Sequence, residues 1–428
     1  MLRSLRNKRE YFDEPNEYRI LRLAREARRL ARIDIVKRTQ LSKTTVSEIT
    51  GRLVGAGFLV PVGRGPSGKR GGRKRELLEF NPDAAFVVGV DIERTRTDVA
   101  LTNLDATILQ RSTFSYHAGS PPREVLSKLV STLRGFGKHS KDFRDKVIGI
   151  GVGLPGVIDR EQGIVKVADT LRGWEGCNIT SVLEKEFDLP VFLENDVKAR
   201  TLGELIFGSG RSVRDAVYLW LGDGIGAGLV IDGRLHHGFT HSAGEIGYNG
   251  ITQSLRVGPQ YPLLYDGQHD IGELLSESNI ARALGRDRLK KRASTQNIIA
   301  ALRANDKRAD LLLEEISDIV GSLSITIVNM LNPEAILLGG ELFWSSERLV
   351  HSIQKKVRSD ILPVPANAVR ITAASLKEDG VLLGSVGLVL FDLFRPTREK
   401  KETAKPVAQR SAVSTTSVNR YAPQFINK

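Results

Sequence analysis

Polar side chains and glycines follow three strand-like segments of the chain. The run Glu194-Asn195-Asp196 comes directly after the apolar residues 189–193, Glu245 lies within residues 243–247, and residues 153–156 follow another apolar segment. In an α/β fold the carboxyl ends of strands converge on the ligand crevice. Two carboxylates and an amide gathered there suit the vicinal hydroxyls of a sugar, and an aspartate can act as general base on one hydroxyl. Taken alone, each acid could equally be a surface-loop carboxylate.

Two loops, the second of them rich in glycine, could serve a different ligand. One follows Asp91 at residues 92–95, and the other is the run at residues 222–228. Glycine turns can cradle phosphates with backbone N–H groups because no Cβ obstructs the approach. Each loop also carries an acid, Glu93 or Asp223, and a carboxylate repels a phosphate unless a metal intervenes. The alternative is that both are plain glycine turns between strands.

A third pattern, near the start of the chain, suits DNA. Short hydroxyl side chains and a lysine at the start of a predicted recognition helix allow close approach to phosphates and base edges. Arg52, two turns further on, is expected to meet the backbone, and a glycine- and arginine-rich loop at residues 71–75 suits a narrow minor groove. The alternative is a solvated basic loop beside an ordinary helical bundle. The predicted DNA contacts are Ser42, Lys43, Thr44, Thr45, Ser47, Arg52, Arg73 and Lys74.

Charge supports this interpretation of the first residues. The chain of 428 residues carries 63 Lys+Arg against 50 Asp+Glu, a net charge of +13. Residues 1–75 hold 20 of the basic and 7 of the acidic side chains, so they account for the whole excess. Clustered cations of this kind release counterions from a polyanion such as nucleic acid. A solubilising basic arm is the other possibility.

Composition excludes some classes of protein. The single cysteine, Cys177, excludes an intrachain disulfide and a cysteine-based zinc cluster. No stretch reaches the roughly 18 uninterrupted apolar residues that a membrane span needs, and no apolar segment of a signal peptide follows the charged start. The sequence therefore predicts a cytoplasmic protein that makes no membrane contact.

The elements that must position the basic residues form a winged helix-turn-helix. Apolar periodicity predicts helices over residues 18–29, 32–38 and 43–54, the third capped by Ser42. A tight turn at residues 39–41 joins the last two, although Gln40 stands where glycine is usual and must accept a strained φ or a shifted turn. Apolar runs at residues 58–62 and 76–80 predict a two-stranded wing.

From Phe86 onward, strands and helices alternate. The layout of strand, glycine turn and strand at residues 87–109 has an echo at residues 216–233, which suggests two related α/β lobes. We therefore expect a winged helix-turn-helix at 1–80 and a two-lobe domain at 81–395. Within it, lobe 1 covers about 81–205 plus 381–395 and lobe 2 about 206–380. Residues 396–428 have the composition of a disordered basic tail.

These segments together resemble the ROK family of repressors and sugar kinases over roughly residues 17–395. The most specific matches are residues 88–101, 149–156, 193–196 with 198–204, 221–233 with 243–247, and 332–340. The wing sequence Gly71-Gly72-Arg73 matches the transcription-factor branch. The resemblance implies an actin/hexokinase-like (ribonuclease H-like) two-lobe fold. It also implies that Asn195, Asp196 and Glu245 contact sugar hydroxyls, with Asp196 at the position of the kinase base and Glu194 supporting them. Gly339 and Gly340 would lie where the kinases hold adenosine.

Departures from the family pattern change the expected activity. Tyr248 stands in place of the histidine of the Glu-Ile-Gly-His motif, so it either takes over that sugar contact or changes the ligand. Residues 251–272 contain no cysteine. We therefore expect no metal, since His236, His237, His241 and His269 also lack a ligand-like spacing. Glu93 and Asp223 stand where the kinases have glycine and threonine for the ATP phosphates, so we expect no cofactor and no phosphoryl transfer.

The sequence thus predicts a sugar-responsive transcriptional regulator of the repressor type. Its expected partners are double-stranded DNA with a palindromic operator, a sugar or sugar derivative, and further copies of itself in a homodimer or homotetramer. One rival is an active sugar kinase with a DNA-binding head, and another is a DNA-binding protein whose cleft has lost its ligand.

Overall fold

The computed structural model describes residues 11, 14–64, 76–138, 143–248, 261–265, 270–284, 299–301 and 306–393. Contacts divide the chain into two compact units, Met1–Asn81 with Phe391–Lys428, and Pro82–Leu390. Arg73, Lys74, His269 and the predicted tail at 396–428 lie outside the described residues. Among the described helices, none is long and apolar enough to cross a membrane.

The first unit contains the predicted helices and wing. Its elements in chain order are α1 (Pro15–Ala27), β1 (Arg29–Ala31), α2 (Arg32–Thr39), α3 (Lys43–Gly55), β2 (Leu59–Arg64) and β3 (Glu76–Phe80). The strands form an antiparallel sheet in the order β1-β3-β2. The sequence did not predict β1, and Arg29 lies in this strand instead of the first helix. Arg28 ends that helix at φ 62°, with its N–H bonded to the Ala24 carbonyl, so the chain leaves the helix earlier than its periodicity predicts.

An apolar core holds this unit together. The inner faces of the helices bury apolar side chains, including Ile20, Leu21, Ile35, Ile49 and Leu53. Burial of such side chains is worth about 1.5–3 kcal/mol each relative to exposure. Gln40 ends α2 in the left-handed conformation at φ 59°, so the strained φ expected at this turn is present.

The second unit begins with a first mixed sheet, which we call lobe 1. Its strands run in the order β10-β7-β4-β5-β6, and β4 pairs antiparallel with β5 but parallel with β7. The elements are β4 (Phe86–Ile92), β5 (Arg96–Asn103), β6 (Ile108–Ser115), α4 (Pro122–Lys138), α5 (Phe143–Lys146), β7 (Val147–Leu154), β8 (Val157–Asp159), β9 (Ile164–Val167), α6 (Ile179–Phe187), β10 (Val191–Asn195) and α7 (Asp196–Ile206).

A second mixed sheet of the same unit forms lobe 2, with strands in the order β13-β12-β11-β14-β15. Its elements are β11 (Ala216–Leu221), β12 (Ile225–Ile231), β13 (Arg234–His236), α8 (Ile271–Leu274), α9 (Glu277–Ala283), α10 (Lys307–Leu331), β14 (Ala335–Gly339), α11 (Glu341–Ser345), α12 (Glu347–Asp360), α13 (Pro363–Ala368) and β15 (Arg370–Ala373). The helix α14 (Gly380–Leu393) follows lobe 2 in the chain but packs on the sheet of lobe 1.

The two sheets share one topology. In each, a three-stranded antiparallel meander is extended by two strands parallel to its first strand. The expected repeat of two α/β lobes is therefore confirmed. The prediction of one glycine turn over residues 222–228 is wrong: β12 begins at Ile225 and pairs with β11 from that residue onward.

Close packing of α14 depends on glycine in strand β7. A Cβ atom on Gly151 would collide with the backbone carbonyl of Ser385, whose own hydroxyl donates to the Val90 carbonyl at 3.0 Å. Because Gly151 has no Cβ, the backbone of α14 lies close against the backbone of β7. This packing holds α14 against the strands that carry Asp91 and Gly153 at their ends.

Candidate functional site

The junction of β10 and α7 places the central polar pair. Asn195 caps the helix, with its Oδ1 accepting from the Lys198 backbone N–H at 3.1 Å. Its Nδ2 donates to the Gly156 carbonyl and to Asp196 Oδ1, each at 3.0 Å. Asn195 is thus held as the N-cap of α7, a position at which asparagine is strongly preferred. Most of its hydrogen-bonding capacity serves this local geometry.

Asp196 lies at the N-terminus of α7. Burial raises the pKa of this carboxyl above its ordinary value, while Arg200 and two backbone N–H groups act in the opposite direction. Arg200 stands four residues further along the same helix, where the i,i+4 spacing brings side chains together. A carboxyl group whose protonation is tuned in this way is a candidate for binding a hydroxyl or accepting its proton.

Glu194 lies beneath this pair and is 1% exposed. One oxygen, Oε1, accepts from the Asn195 N–H at 2.9 Å, and Oε2 lies 2.8 Å from His237 Nε2 and 3.2 Å from Arg160 Nε. Burial acts to raise the pKa of Glu194, but Arg160 and His237 outweigh it and leave the pKa below its ordinary value. The structure therefore gives Glu194 a supporting position and not an open face toward the cleft.

Lobe 2 contributes Glu245 through a tight loop. Gly244 adopts φ 93°, and a Cβ there would collide with the Ala227 carbonyl, so only glycine allows this approach. Burial raises the pKa of Glu245, with Asp196 and Asp169 adding to the rise and Lys198 opposing it. Glu245 and Asp196 therefore come close enough to interact across the two lobes.

Tyr248 is 65% exposed, and its hydroxyl donates to the Asp169 carboxylate of lobe 1. This hydrogen bond, followed by burial, raises the pKa of Tyr248 to about 12. Lys198 is 2% exposed and its Nζ donates to the His241 carbonyl at 3.1 Å. The structure thus brings Asn195, Asp196, Glu245 and Tyr248 to one interlobe region, together with Lys198 and Asp169, which the sequence analysis did not single out.

A second cluster surrounds Asp91 at the end of β4. Asp91 is 3% exposed, and burial raises its pKa to about 8 against the opposing charge of Arg200. The Arg200 guanidinium lies 3.8 Å from the centre of the Trp220 ring, and Nη1 donates to the Lys377 carbonyl at 3.4 Å. Its buried Nε has no hydrogen-bond partner among the described residues. Arg200 was not predicted from the sequence, because its contacts with Trp220 and Lys377 join residues that are far apart in the chain.

The acids expected to oppose a nucleotide are both present in their loops. Glu93 pairs with Arg96 at 2.8 Å, and Asp223 is exposed in the short turn before β12. Gly339 packs against the Tyr218 hydroxyl, where a Cβ would collide with the ring. Over the described part of the chain, no group of three or more His, Cys, Asp or Glu side chains has the arrangement of a metal site.

We call the winged helix-turn-helix over residues 14–80 the head. Its predicted DNA contacts differ in exposure. Lys43, Thr44 and Ser47 are exposed on α3, whereas Ser42 Oγ accepts from the Thr45 N–H at 3.0 Å and lies 2.8 Å from the Thr45 hydroxyl. Ser42 and Thr45 thus serve the helix cap as well as the surface.

Arg52 has a structural partner inside the head. Its Nε lies 2.8 Å from Glu17 Oε1, and the Glu17 side chain is 2% exposed while that of Arg52 is 52% exposed. Two exposed cations, Lys37 and Arg38, precede the turn at the end of α2 and were not predicted as contacts. Their place at the last turn of the helix before the recognition helix could have indicated them.

The fold and these two surfaces define a class: a winged helix-turn-helix joined to an actin/hexokinase-like two-lobe domain. The family model described as "ROK family" matches residues 87–391, and the chain belongs to the ROK family. Relatives cover it to different extents. A xylose repressor of Caldicellulosiruptor bescii is 26% identical over 390 residues, covering 88% of this chain and 96% of that protein. A glucokinase of Thermotoga maritima is 27% identical over 317 residues, covering 71% of this chain and 96% of the glucokinase.

Among solved structures, a ROK family transcriptional regulator, a homolog of the E. coli MLC protein, superposes with a TM-score of 0.73 and 23% identity. The match covers 90% of this chain and 98% of that one. This likeness confirms the fold class expected from the sequence.

Proposed function

We propose that the chain is a sugar-responsive transcriptional repressor that binds double-stranded DNA through its winged helix-turn-helix. The observation that carries the proposal is the extent of the likeness to the xylose repressor, which runs through 88% of this chain. The glucokinase match extends over only 71%. A relation that includes most of the chain favours the regulator branch, because the kinase comparison accounts for a shorter part.

The DNA interface consists of the exposed start of α3. Lys43 contacts a phosphate or a guanine, and Thr44 and Ser47 contact phosphates or base edges. Lys37 and Arg38 add phosphate contacts from the preceding helix. Glu17 engages the Nε of Arg52, so Arg52 contributes to phosphate binding through its terminal Nη groups. In a homodimer or homotetramer, two heads bind the half-sites of a palindromic operator.

The sugar lies between the lobes, where carboxylates face hydroxyl groups. Asp196 and Glu245 accept hydrogen bonds from the sugar, and Tyr248 and Asn195 border it. The local charges nearly balance, since Arg200 opposes Asp196 and Lys198 opposes Glu245. This balance favours a neutral polyol over an acid sugar, because an added carboxylate would meet Asp196, Glu245 and Asp169 together.

Phosphoryl transfer is not part of this proposal. ATP phosphates in the glycine loops would meet the carboxylates of Glu93 and Asp223, and the buried Arg200 already neutralises the region of Asp91 and Asp196. These acids disfavour the nucleotide of a kinase, although Arg96, the partner of Glu93, offsets part of their charge. The protein works in the cytoplasm, where its DNA partner is accessible.

A sugar-binding assay with matched variants tests the site. Thermal-shift titration with D-xylose and D-glucose should raise the melting temperature of the wild-type chain by mass action. Asp196→Asn should abolish the shift, whereas Asp188→Asn, the same change at an exposed acid of lobe 1, should keep it. A shift that persists in Asp196→Asn would refute the site. ATP consumption that depends on sugar and is lost in Asp196→Asn would favour the kinase alternative.

Lys43→Ala tests the DNA interface in the same full-length protein. Loss of one phosphate contact lowers affinity across all sequences and reduces the slope of log K against log salt by about one. The control is Arg22→Ala, which removes the same charge from α1, where Arg22 pairs with Glu26 at 3.2 Å. Equal effects of the two changes would indicate a general charge effect and would refute the assignment of α3.

A further inference from the structure

Three charged or titratable side chains meet across the two lobes, next to the residues that are proposed to bind the sugar. His237 belongs to the lobe 2 loop after β13, whereas Glu194 and Arg160 belong to lobe 1. His237 Nε2 lies 2.8 Å from Glu194 Oε2 and 2.9 Å from Arg160 Nη1. The carboxylate is 1% exposed, so its partners must come from the protein itself. His237 therefore supplies a partner from the opposite lobe to a buried acid.

The same carboxylate sets the geometry of the residue that follows it. While Oε2 meets His237 and Arg160, Oε1 accepts from the Asn195 backbone N–H at 2.9 Å. Because the two oxygens belong to one rigid group, fixing Oε2 also fixes the direction of Oε1. Asn195 in turn caps α7 through the Lys198 N–H and holds Asp196 Oδ1 with its amide. A continuous chain of hydrogen bonds thus runs from His237 to Asp196.

The loop that carries His237 also carries Glu245. It is folded back on itself by a hydrogen bond from the Ala243 N–H to the His237 carbonyl at 3.0 Å. Lobe 1 holds it a second time, since Lys198 Nζ donates to the His241 carbonyl at 3.1 Å. These two cross-lobe attachments lie on the short segment between β13 and Glu245, and the hydrogen bond from Tyr248 to Asp169 adds a third just beyond it.

We propose that His237 is a positioning residue for the sugar, acting through Glu194 on Asn195 and Asp196 and thereby joining lobe 2 to lobe 1. The inference rests on the proposed function, in which the interlobe region binds a sugar. His237 does not touch the sugar itself. It holds Asn195 and Asp196 in the orientation that the ligand needs. Its hydrogen bond to Glu194 also fixes the lobe 2 loop against lobe 1.

The chemistry of the imidazole gives this role a distinctive signature. A neutral ring can either donate from Nε2 to Glu194 or accept there from Arg160, but not both. Protonation makes Nε2 a donor, which strengthens the bond to Glu194 and opposes Arg160. The charged or titratable groups around the ring are Glu194, Arg160, Lys198 and His241, whose ring centre lies 6.2 Å away. Burial, Arg160 and Lys198 lower the pKa of His237 against the effect of Glu194, so the neutral ring predominates near neutral pH.

Three variants of the full chain test the proposal: His237→Ala, His237→Gln and, as a control, His236→Ala at the adjacent exposed histidine of β13. Glutamine can still donate to Glu194, whereas alanine cannot. Without sugar, amide hydrogen exchange of residues 191–200 should speed up in His237→Ala and stay near the wild-type rate in the other two. D-xylose or D-glucose affinity should fall about tenfold in His237→Ala, the effect of one lost hydrogen bond to a charged group, and much less in His237→Gln.

The pH profile separates positioning from packing. Sugar affinity of the wild type should change as pH falls below the ordinary histidine pKa, and this component should be absent from His237→Gln. Unchanged exchange and affinity in His237→Ala would overturn the proposal, and so would equal losses in both His237 variants with no difference in pH profile. If neither sugar binds the wild type, the proposed function fails. The exchange rates still test the chain of hydrogen bonds from His237 to Asp196. Faster exchange in His237→Ala supports it, and unchanged exchange overturns it.

Discussion

Asp91 provides a sharp test of the buried charges around the cleft. The side chain is 3% exposed at the end of β4, and its pKa is raised to about 8 from an ordinary value of 3.8. Burial is the main cause, and the neighbouring acids Glu93, Asp196 and Asp98 add to it against Arg200. Asp91→Asn replaces the carboxyl with a neutral group of the same shape, so it removes the titration and keeps the packing.

The sign and size of the effect follow from proton linkage. Between pH 3.8 and about 8 the folded chain holds a proton on Asp91 that the unfolded chain releases, so this group makes stability fall as pH rises. Each tenfold change in proton affinity is worth about 1.4 kcal/mol. Integrated from about pH 5 to about pH 9, the wild type should lose about 4 kcal/mol that Asp91→Asn does not lose.

Urea unfolding of the two proteins at both pH values measures this difference directly. Comparison within each pH cancels the titration of all other groups, provided that the variant leaves the slope with urea unchanged. Asp188→Asn is the control, since it makes the same change at an exposed acid of lobe 1. A stability difference between wild type and Asp91→Asn that stays constant from pH 5 to 9 would refute the assignment of a buried, protonated Asp91.

Three further substitutions test the local reasoning. Gln40→Gly should stabilise the full chain by up to about 1 kcal/mol, since glycine adopts φ 59° without strain, and an unchanged or lower melting temperature would contradict this. Glu17→Gln removes the buried partner of Arg52 and should cost about 1–3 kcal/mol, measured as faster hydrogen exchange of α1; native exchange would show that the pair contributes nothing. Gly151→Ala should lower the melting temperature by several degrees, because its Cβ meets the Ser385 carbonyl, and a fully stable variant would contradict the close packing of α14.

Much of the head could be predicted from local patterns. Ser42 is a good helix cap by residue type alone, and it occupies that position in the structure. Periodicity placed the recognition helix correctly to within a residue. The strand β1 was missed because three residues carry no periodic signal and pair only with the distant strand β3. Long-range pairing of this kind is invisible to a short window of sequence.

In the two-lobe domain, too, local patterns predicted only part of the candidate site. Asn195 and Asp196 could be identified because a strand end followed by a helix start is a local pattern. His237 could not, since its partner Glu194 is more than forty positions away and belongs to the other lobe. Arg200 was missed for a related reason: its environment consists of Trp220 and Lys377, which only the folded chain brings to α7. Residue type predicts local geometry well, but cross-lobe pairs depend on how the two sheets meet.

The central claim is that a sugar in the cleft controls DNA binding, and it can be measured on one complex. Genomic fragments selected by the full-length protein supply the operator, and fluorescence anisotropy then follows the affinity with and without D-xylose or D-glucose. We expect the sugar that raises the melting temperature to weaken the DNA complex of the wild type, and to leave the complex of Asp196→Asn unchanged. A sugar that binds the protein but leaves DNA affinity unaltered would contradict the account.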